Sequence, residues 1–292
     1  MKRKIVRIAL LFAGAAALCI GCSSLPKGPP ETRTGRRAAL SRLEDASKEA
    51  DRGNYANALM LADEARRFAV AADDPPLIIR SGLCRGAILA SLGRAGEARA
   101  AFDGALSEAE RIRSASLAAA SRAHIARQDL RNGSRGALEI RDQARADISL
   151  IKTEQADLAL GWIVVGLAEK ELGNWADAER GIKNALDIHV KGGYMEQAAY
   201  DWYLIASIRS VSGLYQDALD ALEEALGYDR RAENTYGLGM DWKAMGDVYK
   251  KAGKDAAADI AYRRAADIFR SSGLLQEAAE AEAKAERSPA DP

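Results

Sequence analysis

Glycine recurs in this sequence at a fixed step of 40 residues, and this period constrains the fold more than any other feature. Two alanine tracks keep the same step, five and twelve residues after the glycine, and three tryptophans also keep it. The glycines are Gly53, Gly93, Gly133, Gly173, Gly213 and Gly253; the alanines are Ala58, Ala98, Ala178, Ala218 and Ala258, then Ala65, Ala105, Ala185, Ala225 and Ala265; the tryptophans are Trp162, Trp202 and Trp242. A shared period in three residue types indicates repeated units, each packed on its neighbours.

Each unit is predicted to form two helices joined at the glycine. Glycine adopts the left-handed conformation that ends a helix at little steric cost, and alanine lets two helices approach closely. The stretch from Trp242 to Ala265 shows the pattern best, with large and aromatic residues before Gly253 and small residues after it. No run of alternating apolar and polar residues indicates a strand.

The order of residues in this stretch resembles the tetratricopeptide (TPR) signature. On the first helix it places Trp242, Met245, Gly246 and Tyr249, and on the second Ala258, Tyr262 and Ala265. The resemblance implies an all-α solenoid of about six helix pairs in a right-handed superhelix, over residues 37–287, ending in a C-terminal capping helix. We expect the residues beyond the common 34-residue unit to lengthen the second helix and its exit loop.

The third unit departs from the pattern. Its alanines, Ala137 and Ala144, fall one residue early, and it lacks the aromatic residues of the other units. We therefore expect the third unit to be the most irregular of the array.

The N-terminal residues predict export and lipid attachment. Residues 1–21 have a basic start and then an apolar run from Ile8 to Ile20, which is typical of a signal peptide and short for a membrane-spanning helix. The sequence before Cys22 resembles a bacterial lipobox, with Cys19 where leucine is usual, so Cys22 is predicted to carry the lipid that inserts in the bilayer. Cleavage without lipidation is the alternative. Residues 22–36 are predicted to form a flexible tether, and 288–292 a disordered tail.

The resemblance to lipoproteins also implies a location. Ser23 follows the lipidated cysteine, where aspartate is absent, and this points to the outer membrane of a bacterial envelope, facing the periplasm. The location stays an expectation of the sequence.

Composition and motifs argue against catalysis and nucleic-acid binding. The chain has 42 basic and 42 acidic residues, so it lacks the basic excess that phosphate contacts require. Cys84 and His124 lie one period apart, on neighbouring helices about 8–10 Å apart, which is too far to share a metal ion. No phosphate-binding loop or nucleophile motif occurs. We predict no catalytic residue, no metal site and no cofactor.

The groove of the superhelix is the predicted binding surface. In TPR geometry, places two, five, nine and twelve of each first helix face the concave side; here this track is aliphatic in four units, then carries tyrosine and serine, then lysine and aspartate. The candidate partner-binding residues are Leu160, Ile163, Leu167, Tyr200, Tyr203, Ser207, Lys243, Asp247 and Lys250. Such a groove suits a peptide or helix with an acidic terminus. The alternative is that curvature or a homo-oligomer buries part of the track.

The sequence therefore predicts a membrane-anchored TPR lipoprotein that acts as a scaffold for envelope proteins or peptides, without turnover. Two other classes stay open. One is an accessory component of a solute transporter, working with a periplasmic binding protein, and the other is a surface adhesin.

Overall fold

The computed structural model describes residues 34–152 and 155–286, and over these residues it contains thirteen α-helices and no strand. The helices form six pairs and a final single helix. They are α1 Thr34–Asp51, α2 Tyr55–Ala71, α3 Pro75–Ser91, α4 Ala95–Arg111, α5 Ala115–Asn132, α6 Ala137–Ile148, α7 Gln155–Glu171, α8 Trp175–Gly192, α9 Met195–Val211, α10 Tyr215–Ala232, α11 Thr235–Lys251, α12 Asp255–Ser271 and α13 Leu275–Glu286.

Several predictions fall on residues outside these ranges. The signal peptide, the lipidation of Cys22, most of the tether and the tail at 288–292 are among them. The first helix begins at Thr34, ahead of the array boundary predicted at residue 37. None of the helices that the structure describes is long and apolar enough to span a bilayer.

The two helices of a pair have nearly equal lengths. First helices have 17 or 18 residues, and so do second helices, except for the 12-residue α6. The predicted longer second helix was therefore wrong, because both helices of a pair share the additional residues of the 40-residue unit.

The six periodic glycines end the first helices as predicted, with φ values between 63° and 84°. A second series of left-handed residues ends five of the six second helices, the exception being α6, and its members are 40 residues apart except across the third pair. This series consists of Asp73, Arg113, Gly193, Glu233 and Gly273. The chain therefore reverses direction by the same backbone conformation in the turns within pairs and in five of the turns that follow them.

The alanine tracks lie in the core, where the helices cross. All ten periodic alanines outside the third unit are at most 4% exposed. Glycine on a first helix makes room for a large residue on the second: a Cβ at Gly166 would lie 2.6 Å from the Ile182 side chain. Gly86 opposite Phe102 and Gly246 opposite Tyr262 repeat this arrangement. Small residues thus set the distance between the helices of a pair, as predicted.

The third pair is irregular, as expected. In the other pairs an alanine of the first track is buried on the second helix, but here Ala137 does not take that buried position. That residue only begins α6, and Ile140, which is fully buried, takes the inner position, with Ala144 one turn further on. Because α6 is short, α5 also packs directly against α7.

The final helix α13 covers the last pair, as predicted. Ala278, Ala281 and Ala285 are buried, and Ala278 and Ala281 belong to the same core cluster as Phe269 of α12. The cap thus removes the apolar face that the sixth pair would otherwise expose.

Candidate functional site

Side chains on the concave face connect pairs that are not adjacent. Arg80 of the second pair lies 3.7 Å from the Asp157 carboxylate of the fourth. Arg127 of the third pair donates a hydrogen bond of 2.9 Å to the Tyr200 hydroxyl of the fifth, with its guanidinium 5.3 Å from the ring centroid. Each contact skips one pair, so the two arginine side chains lie across the concave face. Part of the concave face is therefore covered by the chain's own side chains.

The first pair also reaches the fifth and sixth pairs. Asp51, at the end of α1, shares a hydrogen bond with Glu196 at the start of α9. A cavity of about 400 Å³ lies beside this contact, lined by the turn after α1 and by residues at the starts of α9 and α11. Burial, together with the neighbouring carboxyl, raises the pKa of Asp51 to about 7. The array thus closes on itself through a contact between two acids.

The aliphatic part of the predicted binding track offers little surface. Leu160 is 8% exposed and Ile163 is 4% exposed, and both lie in core clusters. Leu167 is half-buried against the same core as Ile163. This agrees with the alternative that the superhelix's own curvature buries part of the track. Binding through these residues stays a prediction, and the accessible surface lies further along the groove.

The two tyrosines of the fifth pair are the aromatic surface of the groove. Tyr200 is exposed, and its ring is stacked on that of Tyr203 with centroids 6.2 Å apart. Tyr203 is half-buried, and burial raises its pKa to about 12, so its hydroxyl stays protonated at neutral pH. Ser207 follows one turn later and accepts a hydrogen bond from Lys170. These residues form a continuous surface that combines aromatic and hydroxyl groups.

The charged end of the track is largely neutralised by the chain's own carboxylates. Lys243 pairs with Glu280 of the cap at 3.0 Å, and Lys250 pairs with Asp255 at 2.6 Å. Asp247 accepts hydrogen bonds from Tyr262 and from Lys284 of the cap. The capping helix therefore supplies partners that the sequence alone did not assign. Lys251, one residue beyond the predicted track, instead donates a hydrogen bond to the Ser210 hydroxyl at 3.1 Å.

Cys84 and His124 have the properties of packing residues. Burial raises the pKa of the Cys84 thiol to about 11 and lowers the pKa of His124 to about 3, so both groups are neutral. His124 stacks on Phe102 with ring centroids 5.0 Å apart. Over the described ranges, no group of three or more histidine, cysteine or acidic residues could hold a metal ion.

The three periodic tryptophans pack against the core, as predicted. Trp162, Trp202 and Trp242 are half-buried beside the largest core cluster, and Arg264 lies over the Trp242 ring at 4.7 Å. They contribute apolar area to the packing between neighbouring pairs.

Two junctions between pairs bury polar groups that the sequence analysis did not single out. Between α8 and α9, His189 Nδ1 lies 2.6 Å from the Asp201 carboxylate. One period later, Asp229 and Asp241 share a hydrogen bond between α10 and α11, and burial raises the pKa of both carboxyls. The 40-residue spacing of these pairs was the one signal in the sequence that could have revealed them.

Comparison with known proteins gives a likeness in structure alone. No protein-family model and no curated protein sequence matches the chain. A Rap protein complexed with competence and sporulation factor aligns with a TM-score of 0.59 at 14% identity, covering 86% of this chain and 75% of that one. BtubC (BKLC) from P. vanneervenii aligns with a TM-score of 0.53 at 17% identity, over 81% of this chain and 92% of that one.

A third solved structure carries the name of the repeat. It is a signal transduction ATPase with numerous domains, with a tetratricopeptide repeat sensor, from Pyrococcus horikoshii. The alignment has a TM-score of 0.50 at 16% identity and covers 87% of this chain and 44% of that one. The thirteen helices packed in successive pairs, the left-handed glycine turns and these neighbours together show that this chain has the fold of a tetratricopeptide-repeat solenoid.

Proposed function

We propose that this protein is a non-catalytic scaffold of the bacterial cell envelope that binds a protein or peptide in its groove, beside Tyr200 and Tyr203. The observation that carries the proposal is the stacked tyrosine pair. Tyr200 is exposed even with Arg127 beside its ring, and it stacks on the half-buried Tyr203, whereas Leu160 and Ile163 of the same track are buried. Tyrosine combines a large apolar area with a hydroxyl group and is enriched at interfaces.

Attachment to the membrane is the second part of the proposal. Cys22 follows a lipobox-like sequence, and about a dozen residues separate it from the first helix at Thr34. A lipid there would hold the array close to the bilayer. Replacing Cys22 with serine should move the protein from the membrane to the soluble fraction. Retention of this variant in washed membranes would contradict lipidation at this residue.

Capture of the partner in native membranes tests the scaffold. A photoreactive amino acid at position 203 should crosslink a distinct envelope protein or peptide, because this position stacks directly beside the exposed Tyr200. The same group at Glu224, exposed on α10, serves as the control. A distinct product at position 203 that is absent at 224 supports the scaffold. Crosslinks only to other copies of this chain, or none, would contradict it.

A further inference from the structure

One position of the first helix carries a large side chain in every pair except the second. It keeps the 40-residue step of the three tryptophans, and in the second pair it is Gly82. The large side chains of the other pairs are Arg42, Arg122, Trp162, Trp202 and Trp242. The second pair thus lacks a side chain at a position where three other pairs pack an indole ring against the core.

A cavity of about 330 Å³ lies at Gly82, with α3 as its floor and the second helices α2 and α4 as its walls. Gly104, in the α4 wall, is exposed and would have no atom within 4 Å of an added Cβ. Two periods of 80 residues later, the residue equivalent to Gly104 is Arg264, whose guanidinium lies 4.7 Å from the centroid of the Trp242 ring. The second pair therefore lacks both the ring and the side chain that covers it.

The backbone at Gly82 leaves room for a ring. A Cβ added there would lie 3.6 Å from the Cβ of Ala105 and 3.7 Å from the carbonyl oxygen of Ala101, which are ordinary van der Waals distances. In the sixth pair the two equivalent residues are also alanines, Ala261 and Ala265, and they belong to the core clusters against which Trp242 packs. The floor of the cavity therefore has the same small residues on which a tryptophan packs elsewhere in this chain.

The rim of the cavity is charged, although the corresponding residues of the sixth pair are apolar. Arg66 and Arg85 line the cavity, and Arg85 forms an ion pair of 2.9 Å with Asp63. In the sixth pair the residues equivalent to the two arginines are Leu226 and Met245, which are buried. Charged groups remain hydrated, so this rim keeps the cavity open to solvent. Guanidinium groups also lie favourably over aromatic rings, which favours an aromatic occupant over an aliphatic one.

We propose that the cavity at Gly82 binds a tryptophan side chain of another protein. The residues outside 34–152 and 155–286 cannot supply the ring, because their one aromatic residue is Phe12, in the predicted signal peptide. Aromatic side chains that enter pockets are the usual anchors of protein interfaces. The walls of this cavity are second helices, whereas first helices line the groove. The site therefore goes beyond the proposed binding beside Tyr200, and the scaffold has a second place to hold a partner.

The first experiment detects the ring in the full-length protein. Isoleucine methyl groups labelled with ¹³C are followed by NMR during titration with N-acetyl-tryptophanamide. The ring current should shift the signals of Ile78 and Ile79, which line the cavity, and the shifts should saturate. Ile260, exposed on α12, should not shift. N-acetyl-leucinamide, which has no ring, should leave all three signals unchanged.

Three results of this titration would overturn the proposal. The first is that neither Ile78 nor Ile79 shows a saturable shift. The second is that Ile260 shifts equally, or that N-acetyl-leucinamide binds equally well, because the ligand would then adsorb to any apolar surface. The third is that free indole binds and N-acetyl-tryptophanamide does not, because the cavity would then take a small aromatic molecule and not a protein side chain.

Two variants locate the ring. Gly82→Trp fills the cavity with the chain's own indole and should weaken binding of N-acetyl-tryptophanamide at least about tenfold. Gly96→Trp, at an exposed position of α4 outside the cavity, is the control and should bind as wild type does. Equal affinity for Gly82→Trp and wild type would overturn the proposal.

The second variant, Gly104→Arg, keeps the proposal testable if Gly82→Trp does not fold. It should bind the ligand about two- to fivefold more tightly, because its guanidinium would cover the ring as Arg264 covers Trp242. Unchanged or weaker binding would show that the ligand does not occupy the place of the missing tryptophan.

Sedimentation velocity and crosslinking separate this site from other interactions. If the wild type self-associates and Gly82→Trp is a monomer, the ring comes from a second copy of this chain and the assignment to another protein is overturned. Capture at position 203 should be equally efficient in wild type and Gly82→Trp. Loss of capture in Gly82→Trp would show that the two sites are not separate, whereas failure of capture in both proteins would contradict the groove scaffold alone.

Discussion

Eight glycines and three other residues hold the left-handed conformation at helix ends in the part of the chain that the structure describes. The three others are Asp73, Arg113 and Glu233, with φ of 47°, 55° and 55°. A side chain with a Cβ is strained in this conformation by about 1 kcal/mol or more, while glycine is not. At these helix ends, replacement of a residue by glycine should therefore relieve backbone strain, and replacement of glycine by another residue should introduce it.

Exchange of residues at these ends should change stability in opposite directions. Glu233→Gly should raise the free energy of unfolding by about 1 kcal/mol, and Gly213→Ala should lower it by about 1–2 kcal/mol. Urea unfolding followed by circular dichroism measures both. Glu233→Ala keeps the Cβ and is the control, with an expected change near zero. A gain as large for Glu233→Ala as for Glu233→Gly would show that loss of the carboxylate, and not relief of strain, stabilises the protein.

The buried pair of Asp229 and Asp241 should make stability depend on pH. Burial raises the pKa of both carboxyls, so the folded chain holds a proton that the unfolded chain releases above about pH 4. Folding stability from this pair therefore falls as pH rises. Asp241→Asn keeps a hydrogen-bond donor to Asp229 and removes one titrating group.

Thermal unfolding between pH 5 and 9 tests this prediction. Asp241→Asn should be more stable than wild type by about 1–2 kcal/mol at pH 8, with a smaller difference at pH 5. Glu224→Gln, on the exposed face of α10, should show no such trend. A difference that stays constant across the range would mean that Asp241 does not titrate in the folded protein.

At the scale of helices, close crossing depends on glycine and alanine where two helices meet. Gly166 of α7 faces Gly181 of α8, and a Cβ on Gly181 would come within 2.8 Å of the Gly166 backbone. The interior cannot absorb such an overlap without separating the helices. The crossing of α7 and α8 is therefore the least tolerant place in the fourth pair.

Replacement of glycine by alanine should lower the free energy of unfolding at one site and raise it at another. Gly181→Ala should destabilise the protein by about 1–3 kcal/mol because the new Cβ meets backbone atoms. Gly104→Ala in α4 has no atom within 4 Å of the new Cβ and should stabilise by about 0.5–1 kcal/mol through helix propensity. Urea unfolding measures both free energies. Destabilisation by Gly104→Ala of similar size would mean that these helices do not tolerate alanine for a reason other than crowding.

The periodic residues explain why the sequence predicts the positions of most turns and helix crossings. Gly53 and its equivalents and the alanine tracks act locally, within one pair, so their positions identify the turns and the crossings. In the third pair the period does not predict the buried residue correctly. There α6 begins only at Ala137, and Ile140 takes the buried position. A delayed helix start changes the face that each later residue presents, and the period of the sequence does not record it.

At the scale of the whole molecule, the groove depends on contacts between distant pairs. Asp51 contacts Glu196, and Arg127 contacts Tyr200, so both contacts join pairs that are not neighbours. A repeat predicts contacts between neighbours, whereas these contacts follow from small rotations that accumulate over several pairs. The sequence therefore left open that curvature buries part of the track, as the structure shows for Leu160 and Ile163, but it did not predict the pairing of Lys243 with the cap. Binding at the residues of the fifth pair stays a prediction.

The closure of the array should respond to pH through Asp51. Its pKa of about 7 lies above the ordinary value, so the folded chain gains a proton and the contact with Glu196 is favoured at low pH. Above pH 7 Asp51 loses this proton, its hydrogen bond to Glu196 is lost, and this contribution to stability falls as pH rises. The other titratable groups that line the cavity beside this contact are Lys48, Arg52, Glu233 and Tyr236.

Solution scattering tests the closure. The wild-type radius of gyration should increase between pH 5.5 and 8.5, whereas Asp51→Asn, which keeps a donor to Glu196, should stay compact at both values. Glu224→Gln should behave as wild type. An unchanged wild-type radius, or equal expansion of Asp51→Asn, would mean that this acid pair does not control the closure.

The contact between the first and fifth pairs also limits how this gene can change in length. An open solenoid tolerates the gain or loss of a whole unit, because every unit meets only its neighbours. Here the turn after α1 lines the same cavity as the starts of α9 and α11, so the contact of Asp51 with Glu196 depends on the number of units between them. Duplication or deletion of an internal 40-residue unit would place the end of α1 opposite a different helix. The contact therefore disfavours a change in the number of internal units. Variation in the length of the chain should be confined to the two ends of the array.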